Sequence, residues 1–416
     1  STLRDRQMGN ILNIINSDKH FYNANDFGRE NYMKCLEGAF FNKEVSRYLR
    51  PNLVDINDIQ ENTNYIYLIE CRNKNAIYSG FFKIPQKILD LVNQDKCKVI
   101  FSYEAEGDLN VNYFNGWYNL TCQAREDEIK FSNFYIFHCE LNCEKNNTTP
   151  VNLFCSTHHF DITSFELNLI IEQNDIRELD EFDYNFKLHT IKDVSVEDKS
   201  KHFLSYMRNC GRNHRKVLAA YFQYNNLWDK NNLSFLKVSY NKETSDFLPK
   251  KYLNSFKELE KLPKVEIDTQ NVKNIEGFNT SFTSNWKHYQ ETFLSVVSET
   301  IYEGRNNFFS EKICKPLVNL HPFIVMSTPY TLKKLQEFGF KTFDGFIDES
   351  YDHEEDVKKR TQLIFQELDK FQKKSNEELK DWWREILPIL EHNQTRLLEF
   401  GKHKTKKVKL LEKLYD

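Results

Sequence analysis

Short apolar runs of strand length alternate with amphipathic stretches through the first half of the chain. Residues 65–70 and 98–103 are such runs, and residues 85–93 between them carry apolar side chains at helical spacing. Residues 134–139 and 151–155 are two further strand candidates, and polar residues follow each of them. The order strand, helix, strand predicts a parallel sheet whose functional loops lie at the strand ends.

The same alternation begins again in the second half and ends in a charged helical segment. It predicts helices around 213–225, at 310–319 and at 332–338, strands at 203–207, 234–240, 292–301 and 322–327, and a short strand near Phe346. Gly339 fits the C-cap of the third of these helices. From Glu354 onward the pattern predicts two or three helices that cover a surface.

The length of the chain indicates more than one domain. Its 416 residues exceed the size of one ordinary core, and the acidic, weakly periodic residues 172–198 are a candidate linker. We therefore predict an α/β fold in three parts. These are an N-terminal α/β domain at 1–185, a C-terminal α/β domain at 186–352 and a helical segment at 353–416 that packs back on the domains.

Composition excludes several classes of protein. Hydrophobic residues are 40% of the chain and charged residues 28%, which excludes general disorder. The net charge of -4 excludes a histone-like polycation, so any site for a polyanion must be local. No apolar stretch approaches the roughly 20 residues of a membrane helix, and the N-terminus lacks the apolar core of a signal peptide. Nine unevenly spaced cysteines indicate reduced thiols, so a cytosolic protein without a membrane span is expected.

The first candidate site is the junction between a predicted strand and the predicted helix 310–319. The strand ends in Glu299, a polar loop follows, and Ser310 is a good N-cap for a helix with Glu311 and Lys312 in its first turn. Such a turn presents free backbone N–H groups, which is where α/β proteins hold phosphate. A lysine there is disfavoured by the helix dipole unless an anion is bound. The alternative is an ordinary exposed pair of Glu311 and Lys312.

A second basic cluster follows the predicted strand 203–207. Arg208, Arg212 and Arg215 lie in a glycine-containing loop and at the start of the next helix. The planar guanidinium binds phosphate oxygens through two hydrogen bonds, so three arginines at this point favour a diphosphate site. The alternative is a basic helix start that contacts the acidic linker.

Both stretches resemble the donor-binding domain of GT-B glycosyltransferases. Residues 310–317 and 321–325 look like the element T/S-E-K-x-x-x-P-L followed by x-P-[FIV]. Residues 203–215 resemble the opening F-L-x-x-N-R-x-x-R-x-H-R of the same proteins, with Met207 where Asn is usual and one residue more between Arg208 and Arg212 than the motif has. The nearest forms are the fucosyltransferase and exostosin types and virus-encoded glycosyltransferase-like proteins, and the resemblance covers residues 200–352.

The resemblance implies two Rossmann-like domains that face each other across a cleft, with the nucleotide-sugar donor on the C-terminal domain. Carried over to this sequence, it implies that Glu311 contacts the donor ribose and Lys312 the diphosphate. Glu299, Ser310 and the three arginines complete the donor-binding set. The acceptor and a catalytic base are then expected from the N-terminal domain.

The candidates for the base follow predicted strands of the N-terminal domain. Glu106, and after it Asp108, lie in the acidic loop 104–108, where a raised pKa would let a carboxylate deprotonate an acceptor hydroxyl. His159 with Asp161 is the other candidate. The alternatives are a plain solvated loop for the first group and a polar surface for the second.

Metal sites and other enzyme motifs find little support. Cys139, Cys143, Cys155 and His158 imitate a zinc site, although their spacing matches no standard zinc module. The chain has no G-x-x-x-x-G-K-[ST], G-x-G-x-x-G, H-E-x-x-H or G-x-S-x-G motif and no obvious D-x-D. A metal-independent transferase without a cofactor is therefore expected, with a nucleotide-diphosphate sugar as co-substrate. A carboxylate base would imply inversion at the sugar carbon.

The acceptor is open between a modified DNA base and a glycan, with a protein or a small molecule as further options. The basic stretch 402–413 would suit DNA, and its alternative is a solvated helix end.

The expected location is the cytoplasm, that of the host for a virus-encoded protein. Two rival hypotheses keep the α/β fold. One is a non-catalytic virion or assembly interaction protein that binds a nucleotide or sugar, and the other is an enzyme acting on nucleotides or nucleic acid.

Overall fold

The chain divides into two compact units, residues 1–162 with 403–416 and residues 163–402. The computed structural model describes the following residues, with isolated residues between them: 10–15, 49–70, 84–103, 129–139, 151–155, 187–207, 211–235, 248–262, 285–400 and 406–415. Within these ranges no helix has both the length and the apolar character that crossing a membrane requires.

The described strands and α-helices are, in chain order, β1 (Asn10–Ile15), β2 (Leu49–Val54), β3 (Tyr65–Glu70), α1 (Gln86–Asn93), β4 (Cys97–Tyr103), β5 (Phe134–His138), β6 (Asn152–Cys155), β7 (Lys201–Met207), α2 (Asn213–Tyr224), β8 (Asn232–Phe235), α3 (Leu253–Glu258), α4 (Trp286–Glu291), β9 (Thr292–Ser298), α5 (Glu311–Val318), β10 (Phe323–Met326), α6 (Thr331–Glu337), α7 (Val357–Lys373), α8 (Asn376–Phe400) and α9 (Lys406–Tyr415).

The first unit contains a parallel sheet in the order β2-β1-β3-β4-β5-β6. Alternate side chains of its strands are buried on opposite faces, as in a parallel sheet that is covered on both sides. Tyr65 and Tyr67 pack with Ile88 of α1 on one face. Ile66 belongs to the cluster on the other face, together with Leu411 of α9. The C-terminal helix is therefore part of the core of the first unit.

The second unit contains a parallel sheet in the order β10-β9-β7-β8. Leu204 of β7 pairs with Ser295 of β9, and Ser298 at the end of β9 pairs with Met326 of β10. Every residue of β9 is buried. Helix α8 packs here through Trp383, whose indole N–H donates to the carbonyl of Phe293 at 2.9 Å.

Helix α6 ends as the sequence predicts. Gly339 has φ +86°. The N–H of Phe340 donates to the carbonyl of Leu335 at 3.1 Å, and the N–H of Gly339 donates to that of Gln336 at 2.9 Å. These two bonds and the left-handed residue form a Schellman motif, which confirms the C-cap at Gly339.

The α/β class is confirmed, with two parallel sheets. Strands β3, β4, β5 and β6 lie where the sequence predicts them, to within a residue at each end, and the C-terminal segment is helical. Strands β1 and β2 are absent from the prediction, which places no strand before residue 65. The domain boundaries at 185 and 352 stay predictions.

The short strand predicted near Phe346 is wrong. Asp344 and Ile347 form one isolated bridge around a turn, and Gly345 within that turn has φ +85°. A residue with this φ reverses the chain direction and cannot continue an extended strand. Only the first part of the predicted strand 234–240 can be compared, because residues 236–240 lie outside the described ranges.

Candidate functional site

The winding of the second sheet reverses between β7 and β9. From β7 the chain runs through α2 to β8 on one side, whereas β9 lies on the other side of β7 and continues through α5 to β10. Connections that leave the carboxyl ends of β7 and β9 therefore diverge, and this kind of crevice is where open α/β sheets bind ligands. The first sheet has the same order at β2-β1-β3, but the residues that follow β1 and β3 lie outside the described ranges.

Glu299, directly after β9, is a buried carboxylate that holds the start of α5. Glu299 is only 1% exposed to solvent. The hydroxyl of Ser310 donates to Oε2 at 2.5 Å, the N–H of Ser310 to Oε1 at 3.3 Å and the N–H of Thr300 to Oε2 at 3.2 Å. Burial raises the pKa of Glu299, and the charge of Lys312 works in the opposite direction. β9 ends at Ser298, and the backbone N–H of Glu299 still donates to the carbonyl of Met326 at 3.0 Å.

Lys312 lies over the N-terminal turn of α5. Its ammonium donates to Glu311 Oε1 at 2.7 Å, to Ser310 Oγ at 3.2 Å and to Thr300 Oγ1 at 3.3 Å. Ser310 caps the helix as predicted, because its hydroxyl also accepts the N–H of Lys312. The side chains of Lys312 and Glu311 are only 14% and 7% exposed. The pair is therefore not an ordinary exposed one.

Helix α2 brings its first turn to the same strand end. His214 Nε2 donates to the carbonyl of Glu299 at 2.8 Å. The guanidinium of Arg215 donates to the carbonyls of Ser298 and Glu299, both at 3.3 Å. Arg212 is the exposed N-cap residue of α2. The structure thus joins the start of α2 to the start of α5 through the backbone that follows β9.

The lowered pKa of His214 reflects its burial and the positive charges near it. Burial, and after it the positive charges of Arg215, Arg212 and Lys312, together lower this pKa to about 3. The hydrogen bond to the backbone carbonyl of Glu299 raises the pKa and offsets only part of this shift. His214 is therefore a neutral imidazole that feels the positive charge of three basic side chains, an electrostatic setting that favours an anion.

A small cavity lies between the sheet and α5 beside this cluster. Its lining includes Tyr206 of β7, Ser295 of β9, and Lys312 and Lys315 of α5. The Lys315 ammonium lies 5.2 Å from the centroid of the Tyr206 ring. The cavity volume of about 20 Å³ is enough for one water molecule. A ligand larger than that would bind at the crevice above the cavity.

Of the predicted donor-binding residues, the structure brings together Arg212, Arg215, Glu299, Ser310, Glu311 and Lys312. Arg208 and the three candidate bases, Glu106, Asp108 and His159, lie outside the described residues. The described residues contain no group of three or more His, Cys, Asp or Glu side chains placed to hold a metal ion. Cys143 and His158 of the imitated zinc site also lie outside them.

Sequence reasoning missed His214 and Thr300 as members of this cluster. Each stands next to a residue that was singled out, Arg215 and Glu299 respectively. His214 meets the Glu299 carbonyl because β7 and β9 are neighbours, which no spacing rule within one stretch of sequence contains. Thr300 and Lys312 are twelve positions apart, and their bond depends on how the loop before α5 returns to the end of β9.

Comparison with known proteins gives no family. No protein-family model matches the chain, and no curated protein matches it. Among solved structures, the N-terminal domain of Candida albicans trehalose-6-phosphate phosphatase is similar at 9% identity, with 97% of this chain and 99% of that chain covered and a TM-score of 0.36. A likeness at that TM-score does not establish a shared fold.

Proposed function

We propose that this protein is a glycosyltransferase that moves a sugar from a nucleotide-diphosphate sugar to an acceptor hydroxyl. The second unit would bind the donor diphosphate at the crevice between the carboxyl ends of β7 and β9. One observation carries the proposal. His214 and Arg215 at the start of α2 bond to the carbonyl of Glu299, Lys312 at the start of α5 bonds to the next residue, Thr300, and the charges of Arg212, Arg215 and Lys312 all lower the pKa of His214.

The charge balance of the cluster favours an anionic ligand. The four cations are Arg212, Arg215, Lys312 and Lys315. Among the residues that the structure describes, the carboxylates bonded within the cluster are those of Glu299 and Glu311, and Glu299 accepts hydrogen bonds from Ser310 and Thr300. The N-terminal turn of α5 adds a partial positive charge. A diphosphate, with its two or more negative charges, would balance the remainder.

The same groups would serve the chemistry of sugar transfer. Negative charge builds on the leaving diphosphate in the transition state, and fixed cations stabilise that charge without a metal ion. The proposal leaves the general base with Glu106, Asp108 or His159 of the first unit and expects inversion at the sugar carbon. The order 2-1-3 at the start of both sheets supports two Rossmann-like domains of GT-B type as part of the proposal.

A modified DNA base or a glycan is the proposed acceptor, in the cytoplasm of the cell or of a viral host. Helix α9 presents Lys406, Lys409 and Lys413 as exposed residues, which would suit the phosphate backbone of DNA. Nucleic acid as acceptor predicts that transfer activity falls steeply as salt rises, whereas a neutral glycan acceptor does not.

Calorimetry and thermal-shift titration with UDP, GDP, CDP and their sugars test the donor site. Wild type is expected to bind one nucleotide at micromolar Kd. Lys312→Ala and Arg212→Ala should each weaken that binding by about 10- to 100-fold, the loss of one charge-assisted hydrogen bond. Lys358→Ala, an exposed lysine of α7, is the matched control and should bind as wild type. Failure of wild type to bind any of these ligands would sink the proposal.

A binding protein without turnover is the second candidate function. One observation favours it: the ammonium of Lys312 already has the Glu311 carboxylate as a close partner, which leaves less positive charge to stabilise a leaving diphosphate. Nucleotide-sugar binding with the same mutant profile, but with neither transfer to any acceptor nor hydrolysis of the donor, would select this candidate over the enzyme.

A further inference from the structure

The loop that follows β10 is fastened to the segment that leads into α5. The side-chain amide of Asn307 donates to the carbonyl of Pro329 at 2.7 Å and to the hydroxyl of Thr328 at 3.2 Å. The hydroxyl of Thr328 in turn donates to the carbonyl of Asn306 at 3.1 Å. Because β10 lies beside β9 in parallel, this loop emerges at the same sheet edge as Ser310.

Tyr330 in this loop has a left-handed backbone. Its φ is 66° and its ψ is 17°, a conformation that bulky side chains rarely adopt. The surrounding chain fixes it there. The N–H of Tyr330 donates to the carbonyl of Asp352 at 2.6 Å, and the Asp352 carboxylate accepts the N–H groups of Leu332 at 2.8 Å and Lys333 at 3.2 Å. Glycine or asparagine would take this conformation with less strain.

Core packing does not account for the choice of tyrosine. Of the other described non-glycine residues with positive φ, Asp95 and Asn226 are types that tolerate it, and Leu320 is a fully buried core residue. Tyr330 is only partly buried. The Lys333 ammonium lies 5.9 Å from the centroid of its ring, and the centroid of the His353 ring lies 5.5 Å away in a T-shaped arrangement. A strained backbone therefore holds an accessible aromatic ring beside a cation.

We propose that the ring of Tyr330 is the stacking surface for the nucleobase of the ligand whose phosphates bind at the β7–β9 crevice. This inference rests on the proposed function. Neighbouring strands lie about 4.8 Å apart, so the loop after β10 is one strand away from the N-terminal turn of α5, and a nucleoside attached to a phosphate there can reach it. Stacking on tyrosine distinguishes nucleotides from bare phosphates, because only a nucleotide has a base whose face can lie on the ring.

The test separates stacking from strain with two variants and two probes. Tyr330→Asn removes the ring and suits the left-handed backbone, whereas Tyr330→Phe keeps the ring. The probes are the nucleoside diphosphate that wild type binds and inorganic pyrophosphate. Tyr330→Asn should weaken nucleotide binding about 10-fold or more, leave pyrophosphate binding within about threefold and leave Tm equal or higher. Tyr330→Phe should bind both probes as wild type.

Tyr224→Asn is the matched control, since this tyrosine is 45% exposed at the far end of α2. It should change neither affinity. Wild-type nucleotide affinity in Tyr330→Asn would overturn the inference, and so would a fall in Tm with equal losses for both probes. Wild type that binds pyrophosphate no more weakly than the nucleotide would overturn the stacking role and leave the anion site standing. Binding of neither probe would overturn the proposed function as well.

Discussion

The sequence predicts that the Glu299 carboxylate binds the donor, whereas the structure buries this carboxylate inside the fold. Its oxygens accept three hydrogen bonds, from the N–H and hydroxyl of Ser310 and the N–H of Thr300. These bonds fix the turn that carries Lys312. In the proposed donor site, Glu299 would act through the position of Lys312, and a carboxylate suits this place because it accepts several donors at one point.

Glu349 makes stability depend on pH in a direction opposite to that of most carboxylates. Burial raises its pKa to about 7, while its bonds to Thr342 and to the N–H of Phe343 work against the shift. Between the unfolded value of about 4.5 and pH 7, the folded state binds more protons than the unfolded state. The contribution is therefore fully present below pH 4.5 and is lost as pH rises through 7.

Glu349→Gln is expected to remove this pH dependence, because the amide cannot titrate. The free energy of unfolding of wild type relative to the variant should fall by up to about 3 kcal/mol between pH 5 and pH 8, following 1.36 kcal/mol per unit of pKa. Urea unfolding of both proteins at four pH values measures it. Parallel stability curves for wild type and variant would contradict the expectation.

At the scale of elements, the sequence predicts those whose signal is local. Strands β3 and β4 are continuous apolar runs, and α1 and α5 have helical spacing between clear boundaries. Strand β2 was not predicted, because Arg50 and Pro51 interrupt its apolar pattern. Proline is tolerated there since β2 is an edge strand of the described sheet.

The candidate site was predictable only within single stretches of sequence. Ser310, Glu311 and Lys312 follow from helix-start chemistry. The contact from His214 does not, because it depends on the pairing of β7 with β9, which joins residues about ninety positions apart. The inward role of Glu299 depends on the return of Ser310 to the end of β9 across the loop between them. Register between distant strands is a property of the folded sheet, and one sequence without its relatives does not contain it.

Gly339 and Gly345 form a matched pair for testing how α6 ends. Both have φ near +85°, but a Cβ at Gly339 would lie 2.7 Å from Arg396 Nε, whereas a Cβ at Gly345 would meet nothing. Arg396 cannot easily yield, because it donates to the carbonyl of Phe338 and stacks on Phe400.

Gly345→Ala should cost about 1 kcal/mol of unfolding free energy, the strain of a left-handed alanine. Gly339→Ala should cost more, about 2–3 kcal/mol, because the Arg396 contacts are lost as well. Urea unfolding of the two variants side by side measures the difference. Equal costs would mean that Arg396 moves aside freely.

For the whole molecule, the chain path ties the first unit to the last helix. Residues 403–416 belong to the unit formed by residues 1–162. Val408 and Leu411 of α9 are fully buried in the cluster that contains Ile66 and Phe137. The first unit therefore cannot complete this core until the chain has been synthesised through α9, which follows the whole of the second unit.

Leu411→Ala should accordingly weaken the first unit and spare the second. Truncation of a fully buried leucine costs about 2–5 kcal/mol. Backbone hydrogen exchange in β3, β4 and β5 should quicken by tenfold or more, because each 1.4 kcal/mol is a factor of ten in the opening equilibrium. Exchange in β7 and β9 should stay as in wild type. Lys409→Ala, an exposed residue of the same helix, should leave both sheets unchanged. Unaltered protection of β3 to β5 in Leu411→Ala would mean that α9 is dispensable to that core, and equal losses in both sheets would mean that the two units open as one.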